Sequence, residues 1–363
     1  MTPTEPELKE TLAEIEDPAN GEDIVSMGLV NDVTIADGTA EVSLAFNAPY
    51  ASAEIEIGNA IRDAVEEAGL EPDLHAHVGE EHGFDEEILP GVRNVIAVAS
   101  GKGGVGKTTV AANLAAGLDE LGARVGLLDA DVHGPNAPRI LPTDEQPGVT
   151  GDNKIVPPES EGVAVISTDH LLPDSDEPAI LRGPMVTNVM MKFIDEVEWG
   201  YRDYLVVDLP PGTGDASLNL LQTLPVAGAI IVTTPQEMAI DDAKKSLHLF
   251  EEHDAPVAGV VENMSSFRCP NCEDDHRVFG TTGVTEDFEA PVLAQLPVHP
   301  EFGSERTDGP IVRHEESPLD DEIMGLVESV ADRIGEINRR RVAANVGDGT
   351  QMPDESVPDA SAE

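Results

Sequence analysis

The feature that most constrains this chain is a glycine-rich run, GKGGVGKTT, at residues 101–109. It satisfies the pattern G-x-x-x-x-G-K-[ST], with Gly101, Gly106, Lys107 and Thr108 at the required positions. Glycines at these positions let the backbone curl, so that successive N–H groups point at phosphate oxygens beside the N-terminus of a helix. The run therefore predicts a phosphate-binding loop between a strand and a helix.

The sequence on either side of the run fits that prediction. Val95–Ala99 is apolar, as expected of a buried strand, and Thr109–Leu121 has helical spacing and good helix formers. In such a unit Lys107 reaches the β- and γ-phosphates of ATP, and the Thr108 hydroxyl ligates Mg²⁺. We predict an ATP site formed by the whole run, namely Gly101, Lys102, Gly103, Gly104, Val105, Gly106, Lys107, Thr108 and Thr109.

A second lysine, Lys102, lies inside the loop, although the chain has only seven lysines. With it the run resembles the deviant Walker A motif of the MinD, ParA and nitrogenase-reductase group of P-loop proteins. The resemblance implies a homodimer in which Lys102 reaches across the interface to the partner's nucleotide and takes part in catalysis. The alternative is a surface lysine that only adds positive potential near phosphate.

Acidic residues end two further apolar segments, LLDAD and YLVVD. Carboxylates at the carboxyl ends of parallel strands face the ligand crevice. Asp208 is therefore predicted to hold Mg²⁺, Asp131 to orient the attacking water and Asp129 to support the magnesium shell. Either Asp129 or Asp131, taken alone, is also compatible with a cap on the following turn.

Three more residues are candidates for contact with the nucleotide. Gly212, in the loop PPGTGD, is predicted to sense the γ-phosphate through its N–H group. Gln236, after TTP, and Asn263, at the end of VAGVVEN, resemble positions that meet the adenine base in the same group of proteins. The alternative for these two amides is a hydrogen bond at a strand end.

The charge of the chain excludes one class of partner and suggests an environment. The 363 residues include 71 Asp and Glu against 21 Lys and Arg, a net charge of −50, which opposes nucleic-acid binding. So acidic a surface, with few lysines and 3% aromatic residues, indicates the cytoplasm of an extreme halophile. Folding is expected to require molar salt, because salt screens the self-repulsion.

No secretory h-region and no membrane-spanning apolar run is visible, so we expect a cytoplasmic protein without membrane contact.

The chain is expected to divide into four segments. Residues 1–78 predict a small α+β domain, residues 79–90 an acidic linker, and residues 342–363 a disordered tail. Residues 91–341 alternate strands with helices, which predicts an α/β, doubly wound, mostly parallel sheet. The first segment resembles the PaaD-like domain associated with iron–sulfur assembly. That domain usually carries a cysteine where this chain has NAPYAS, so we interpret it as an interaction module.

Cys269 and Cys272 are the only cysteines. Two thiols at this spacing chelate one metal ion or one edge of a cluster, and thiolate sites commonly use four ligands. Two subunits of a homodimer would supply four. A redox dithiol and a zinc site with His276 as the third ligand are the alternatives.

Taken in order, GKGGVGKTT, DADVHGP, RGPMV, DLPPGTGD, TTPQ and ENMSSFRCPNC resemble the Mrp/ApbC family of iron–sulfur cluster carrier ATPases over residues 91–335. The resemblance implies a homodimer that holds a bridging [4Fe–4S] cluster and passes it from a cluster donor to apo-proteins under the control of MgATP. The alternative is a MinD/ParA-like positioning ATPase with a CxxC zinc site. It would need a basic or membrane-seeking terminus, for which Arg339–Arg341 is the candidate.

Overall fold

The structure is a computed structural model, and its described residues form two compact units. The described ranges are 3–36, 38–76, 88–132, 134–143, 145–170, 183–269, 271–272, 274–279, 288–302, 309–314 and 317–347. The first unit comprises Met1–Phe46, Glu56–Gly79 and Asn338–Glu363. The second comprises Asn47–Ile55 and Glu80–Ile337. Most of the predicted linker, residues 79–87, lies outside the described residues, as do residues 348–363 of the predicted tail.

The first unit contains a three-stranded sheet whose central strand, β2, is antiparallel to β1 and parallel to β3. Leu8 and Leu12 of helix α1 and Ile57 and Ile61 of helix α2 are buried in its core. The predicted small α+β domain is confirmed. Its elements are α1 (Glu5–Leu12), β1 (Val30–Ala36), β2 (Thr39–Leu44), α2 (Ser52–Glu67, from Glu56 onward in this unit) and β3 (Glu71–Ala76).

The last described helix, α8 (Asp320–Gly347), continues into the segment predicted as a disordered tail from residue 342. The reason is apolar burial, because Val342 packs in the core of the first unit. In the same unit Arg339 and Asp17 form a buried ion pair, with Nε 2.6 Å from Oδ2. Both side chains are at most 2% exposed, so each charge depends on the other.

The second unit is built on a nine-stranded sheet with the order β13-β12-β11-β4-β10-β5-β9-β8, in which β14 also pairs with β12. The described pairings are parallel, except that β13 and β8 run antiparallel to their neighbours. The strands are β4 (Val92–Ser100), β5 (Val125–Asp129), β8 (Glu159–Ser160), β9 (Val163–Ser167), β10 (Arg202–Asp208), β11 (Val226–Thr233), β12 (Val257–Arg268), β13 (Asp275–His276) and β14 (Val292–Val298). A separate hairpin joins β6 (Gly148–Val149) and β7 (Ile155–Val156).

Apolar cores cover both faces of this sheet. In β4, Ile96 and Val98 face the core that includes α3 and α8, whereas Val95 and Ala97 face the core that includes α5, α6 and α7. This alternation places helices on both faces, which confirms the doubly wound fold. The further helices are α3 (Lys107–Glu120), α4 (Ala137–Ile140), α5 (Gly183–Asp195), α6 (Asp215–Thr223) and α7 (Glu237–Glu252). Among the described helices, none is long and apolar enough to cross a bilayer.

A segment from the N-terminal part of the sequence, Asn47–Ile55, belongs to this second unit. The buried Asn94 amide donates to the carbonyl oxygen of Asn47. The hydroxyl of the buried Tyr204 donates to the Pro49 carbonyl at 2.7 Å. Polar groups of the sheet are therefore satisfied by this segment.

The order of the strands brings the predicted site residues to one edge. Strand β10 lies between β4 and β5, and Asp208 is in register with Val98 on one side and Asp129 on the other. The glycine-rich loop leaves the end of β4, so it meets both carboxylates at the carboxyl ends of the strands.

Candidate functional site: a phosphate loop and a cysteine hairpin

The glycine-rich loop turns sharply between β4 and α3. Gly104 and Gly106 have φ of 80° and 89°, in the left-handed region that favours glycine. A Cβ atom on Gly106 would collide with the amide of Asn263, and one on Gly101 would collide with the backbone of Asp242. Close packing, in addition to backbone conformation, therefore requires glycine in this loop.

Asp208 holds the two loop side chains that were predicted to bind phosphate and metal. Its Oδ1 lies 2.5 Å from the Lys107 ammonium, and its Oδ2 accepts the Thr108 hydroxyl at 2.6 Å. Lys107 is 6% exposed and Asp208 is fully buried. Burial raises the pKa of Asp208, and the Lys107 charge opposes that rise. An anion that binds Lys107 therefore has to compete with this carboxylate.

Asp129 organises the loop that follows β5. Its carboxylate accepts the backbone N–H groups of Asp131 at 3.1 Å and of Asn136 and Ala137 at 3.0 Å each. Burial, followed by the nearby charge of Asp208, raises the pKa of Asp129 to about 7. The carboxylate is fully buried and so fixes the path of the loop that carries Asp131. Asp129 therefore caps the following turn, which is the alternative role that its sequence position had left open.

A cavity of about 350 Å³ lies over the loop, and Asp131 is one of the residues that line it. Arg139, an exposed cation on α4, also lines it, and the sequence analysis missed this residue. Its position shortly after DADVHGPN is the only signal that would have found it. The lining residues are Ser100, Lys102, Gly103, Gly104, Gly106, Lys107, Thr108, Thr109, Asp131, Asn136, Arg139, Ile140 and Pro211.

Three of the predicted residues make contacts beside the cavity. Lys102 donates to the side-chain oxygen of Gln236 at 3.4 Å, so the structure brings these two together. Gly212 has φ of 85°, and its N–H group donates to the Ser100 carbonyl at 2.8 Å. A contact between this N–H group and a γ-phosphate would require that bond to break.

Asn263 lies against the glycine-rich loop. Its Nδ2 donates to the Val105 carbonyl at 2.9 Å, and its Oδ1 accepts the N–H group of Met264 at 2.9 Å. The side chain is 7% exposed. Its adenine contact stays a prediction, whereas its contact with the loop backbone is a feature that the sequence did not indicate.

The cysteines lie on a hairpin at the end of β12. Strand β13 pairs antiparallel with that end, and Phe267 is opposite His276. Cys269 is partly exposed and Cys272 is exposed. Their Sγ atoms and a ring nitrogen of His276 all lie within 4.8 Å of one another. One chain therefore presents three potential metal ligands, Cys269, Cys272 and His276.

Arg268 attaches this hairpin to the rest of the second unit. Its guanidinium lies 3.2 Å from Asp275 and 2.7 Å from Glu322, and it donates to the Pro318 carbonyl at 3.1 Å. The N–H group of Cys269 donates to the Asp274 carbonyl at 3.0 Å. The base of the hairpin is thus fixed beside the start of α8.

The two thiols differ electrostatically. Backbone N–H groups of Asn271 and then Cys272 lower the pKa of the Cys269 thiol. At Cys272 the N–H group of Asp274 acts in the same direction, but the Cys269 sulfur and desolvation outweigh it and raise the pKa. Cys269 is therefore the thiol that ionises first.

Comparison with known proteins agrees with this geometry. A family model described as the NUBPL iron-transfer P-loop NTPase matches residues 91–331, and one described as an iron–sulfur cluster assembly protein matches residues 5–73. The iron–sulfur cluster carrier protein of Deinococcus radiodurans is 38% identical over 333 residues, which cover 90% of this chain and 95% of that protein. That of Aquifex aeolicus is 44% identical over 234 residues, 63% of this chain and 64% of the relative, so this match spans less than two thirds of the relative's length.

A solved structure, that of a nucleotide-binding protein from Archaeoglobus fulgidus in complex with ADP, covers 66% of this chain and 89% of its own. Its TM-score is 0.52 and its sequence identity 32%. The P-loop and the cysteine segment both fall within the part of the chain that the first family model matches. The chain belongs to the family of iron–sulfur cluster carrier P-loop NTPases.

Proposed function

We propose that this protein is a homodimeric, Mg²⁺-dependent ATPase that carries a [4Fe–4S] cluster between its subunits and transfers it to apo-proteins. The observation that carries the proposal is the cysteine hairpin. It presents Cys269 and Cys272 at the surface of a protomer that also contains a complete phosphate-binding loop. Two such hairpins, one from each subunit, supply the four thiolates that a cubane cluster takes.

The nucleotide site has the groups that ATP hydrolysis needs. The loop N–H groups and Lys107 bind the phosphates, and the Thr108 and Asp208 oxygens, which already lie 2.6 Å apart, suit the preference of Mg²⁺ for oxygen ligands. When bound, Mg²⁺ supplies charge neutralisation at the phosphates. Lys102, beside Gln236, is assigned to the partner's nucleotide.

In the chemical step Asp131 orients a water molecule in the cavity. The water oxygen forms a bond to the γ-phosphorus while the bond from that phosphorus to the β–γ bridging oxygen breaks. The products are ADP and hydrogen phosphate; the phosphate keeps one proton of the attacking water, and the other proton is released to solvent. Asp129 contributes by holding the loop that positions Asp131.

Nucleotide state then controls the cargo. ATP biases the loops at Asp131 and Gly212, and these loops connect through the sheet to the segment before Cys269. Such coupling requires that the cluster be held with different affinity in the ATP-bound and ATP-free states. Equal transfer rates with and without ATP, in the wild type and in Lys107→Ala, would contradict this part of the proposal.

The cargo is tested by anaerobic reconstitution with iron and sulfide in molar KCl. We expect absorbance near 400 nm, a dimeric mass and about four irons per dimer, all lost in Cys269→Ala. The matched control is His276→Ala, which should keep the cluster because the four thiolates remain.

The same experiment examines the alternative of a zinc site formed by Cys269, Cys272 and His276, which their separation of less than 4.8 Å makes geometrically feasible. A colourless monomer that binds one zinc ion, and loses it in His276→Ala, would contradict the carrier proposal.

A further inference from the structure

Strand β12 connects the phosphate loop to the cysteine hairpin, a connection whose role rests on the proposed function. Strand β12 contacts the loop at Asn263 and leads into Cys269. Between these points the strand is irregular, because its pairing with β14 shifts register between Asn263 and Phe267. Within the irregular stretch Met264 has φ of 58°. This left-handed conformation is unfavourable for a residue with a Cβ atom, so neighbouring groups must hold it.

The Asn263 side chain is the group that does so. It accepts the Met264 N–H group through Oδ1 and donates to the Val105 carbonyl through Nδ2, both at 2.9 Å. Asn263 is 7% exposed and Val105 is 2% exposed, so water competes little for these hydrogen bonds. One buried amide thus joins the backbone of the phosphate loop to a strained turn before the cysteines.

The structure on both sides of this amide favours transmission of a movement. On the loop side, Gly106 packs so closely against the amide that it has no room for a Cβ atom, so the peptide after Val105 cannot move independently of Asn263. On the hairpin side, the pairing of Phe267 with His276 and the ion pairs of Arg268 hold the hairpin together.

We propose that Asn263 is a positioning residue that couples nucleotide binding to the cysteine hairpin. Phosphates that accept the loop N–H groups reorient the peptide at Val105, and its carbonyl carries the Asn263 amide with it. The hydrogen bond from the Met264 N–H group to this amide then changes. The left-handed turn at Met264 changes with it, which alters the placement of Cys269. Asn263 and Met264 form the two-state element that both sites bias.

The first test needs no cluster. Hydrogen exchange of the backbone amides from Met264 to Cys272 is followed by mass spectrometry on the full chain in molar KCl, with and without saturating ADP. In the wild type we expect nucleotide to change exchange at Met264 and Cys269 by about fivefold or more. In Asn263→Ala the change should fall below about twofold, because both hydrogen bonds are absent.

Two further variants separate the contact of Asn263 with Val105 from its contact with the turn at Met264. Asn263→Asp keeps an oxygen acceptor for Met264 but cannot donate to Val105, so Met264 should stay protected while its response to nucleotide is lost. Met264→Gly should also lose the response, because glycine adopts this conformation without being held. Ser265→Ala is the matched control. Its hydroxyl donates to the Leu296 carbonyl at 3.1 Å, away from the phosphate loop, and its response should equal that of the wild type.

The second test uses the reconstituted dimer. The rate at which a chelator removes iron is measured with and without ATP, at concentrations that saturate each variant as judged by nucleotide titration. The ratio of the two rates should approach one in Asn263→Ala and Asn263→Asp, and remain as in the wild type in Ser265→Ala.

The two tests distinguish failure of the coupling from failure of the proposed function. If the exchange response depends on Asn263 but the protein takes up no cluster, the coupling is supported and the carrier proposal falls. If a cluster is bound and the variants at Asn263 respond to nucleotide as strongly as the wild type, the coupling proposal is overturned. The nucleotide signal would then pass through the loops at Asp131 and Gly212.

Discussion

The nucleotide site and the cysteine hairpin lie in the same compact unit but are built in opposite ways. At the nucleotide site, Lys107, Asp129 and Asp208 are at most 6% exposed, and each is bonded to another part of the same site. At the hairpin, Cys272 is exposed, and a two-residue strand, β13, completes the structure. The buried charged groups of the nucleotide site are therefore paired with one another within the chain, whereas the hairpin exposes its thiols to solvent.

The largest effect that separates the two regions is expected from Lys107→Ala. The change leaves the buried Asp208 carboxylate without its cation, and breaking a buried pair typically costs about 3–5 kcal/mol. The free energy of unfolding of the nucleotide-free protein, measured by denaturant titration in molar KCl, should fall by that amount, and ATP binding should be lost.

Lys102→Ala is the matched control, since Lys102 lies in the same loop and makes one long hydrogen bond to the exposed Gln236. Its unfolding free energy should stay within about 0.5 kcal/mol of the wild type. Equal stability of the two variants would mean that the nucleotide site is not the self-supporting region described above.

An effect that depends on pH is expected from Asp129→Asn. The pKa of Asp129 is raised to about 7 in the folded protein, against about 3.9 in the unfolded chain. Between these values the folded state keeps a proton that the unfolded state releases, so wild-type stability decreases as pH rises through this window, by at most about 1.4 kcal/mol per pH unit. The amide variant has no such proton. Its free energy of unfolding should therefore increase relative to that of the wild type as the pH rises from about 4 to about 7.

The measurement is the difference in unfolding free energy between Asp129→Asn and the wild type, without nucleotide or Mg²⁺. Comparison with the variant removes the contribution of the many other acidic groups. A difference that does not change with pH would show that Asp129 ionises normally in spite of its burial.

The smallest effect on stability is expected at the hairpin. Cys272→Ser replaces an exposed thiol, so the unfolding free energy of the metal-free protein should change by less than about 0.5 kcal/mol. The same substitution should abolish cluster binding in the reconstitution assay. A large loss of stability in the metal-free protein would mean that the thiols support the fold, and the contrast between the two regions would disappear.

The position of the nucleotide site was largely predictable because most of its residues lie in one short stretch of the sequence. The run from Gly101 to Thr109 predicts the loop that the structure shows between β4 and α3, while its contacts with phosphate and metal stay predictions. Asp208 was found because an apolar strand ends in an acid, and the parallel sheet brings every such strand end to the same edge.

Contacts between distant parts of the sequence could not be predicted. Nothing near Asn263 indicates that its amide would reach Val105, since that contact depends on the order of the strands and on a shift of register in β12. The left-handed Met264 was also unexpected, because left-handed residues are usually glycine or asparagine. For Asp129 a cap on the following turn was an open alternative, but its contacts with Asn136 and Ala137 could not be foreseen from local sequence.

The segment Asn47–Ile55 has a practical consequence for dissecting this protein. Because it lies before the predicted linker in sequence yet satisfies buried polar groups of the nucleotide-binding unit, a truncation that begins at residue 91 would leave Asn94 and Tyr204 without these partners. The two units are consequently not interchangeable modules. A fragment that keeps the P-loop unit intact, or a chimera with another N-terminal domain, has to retain the stretch around Pro49, even though in sequence it looks like a loop of the preceding domain.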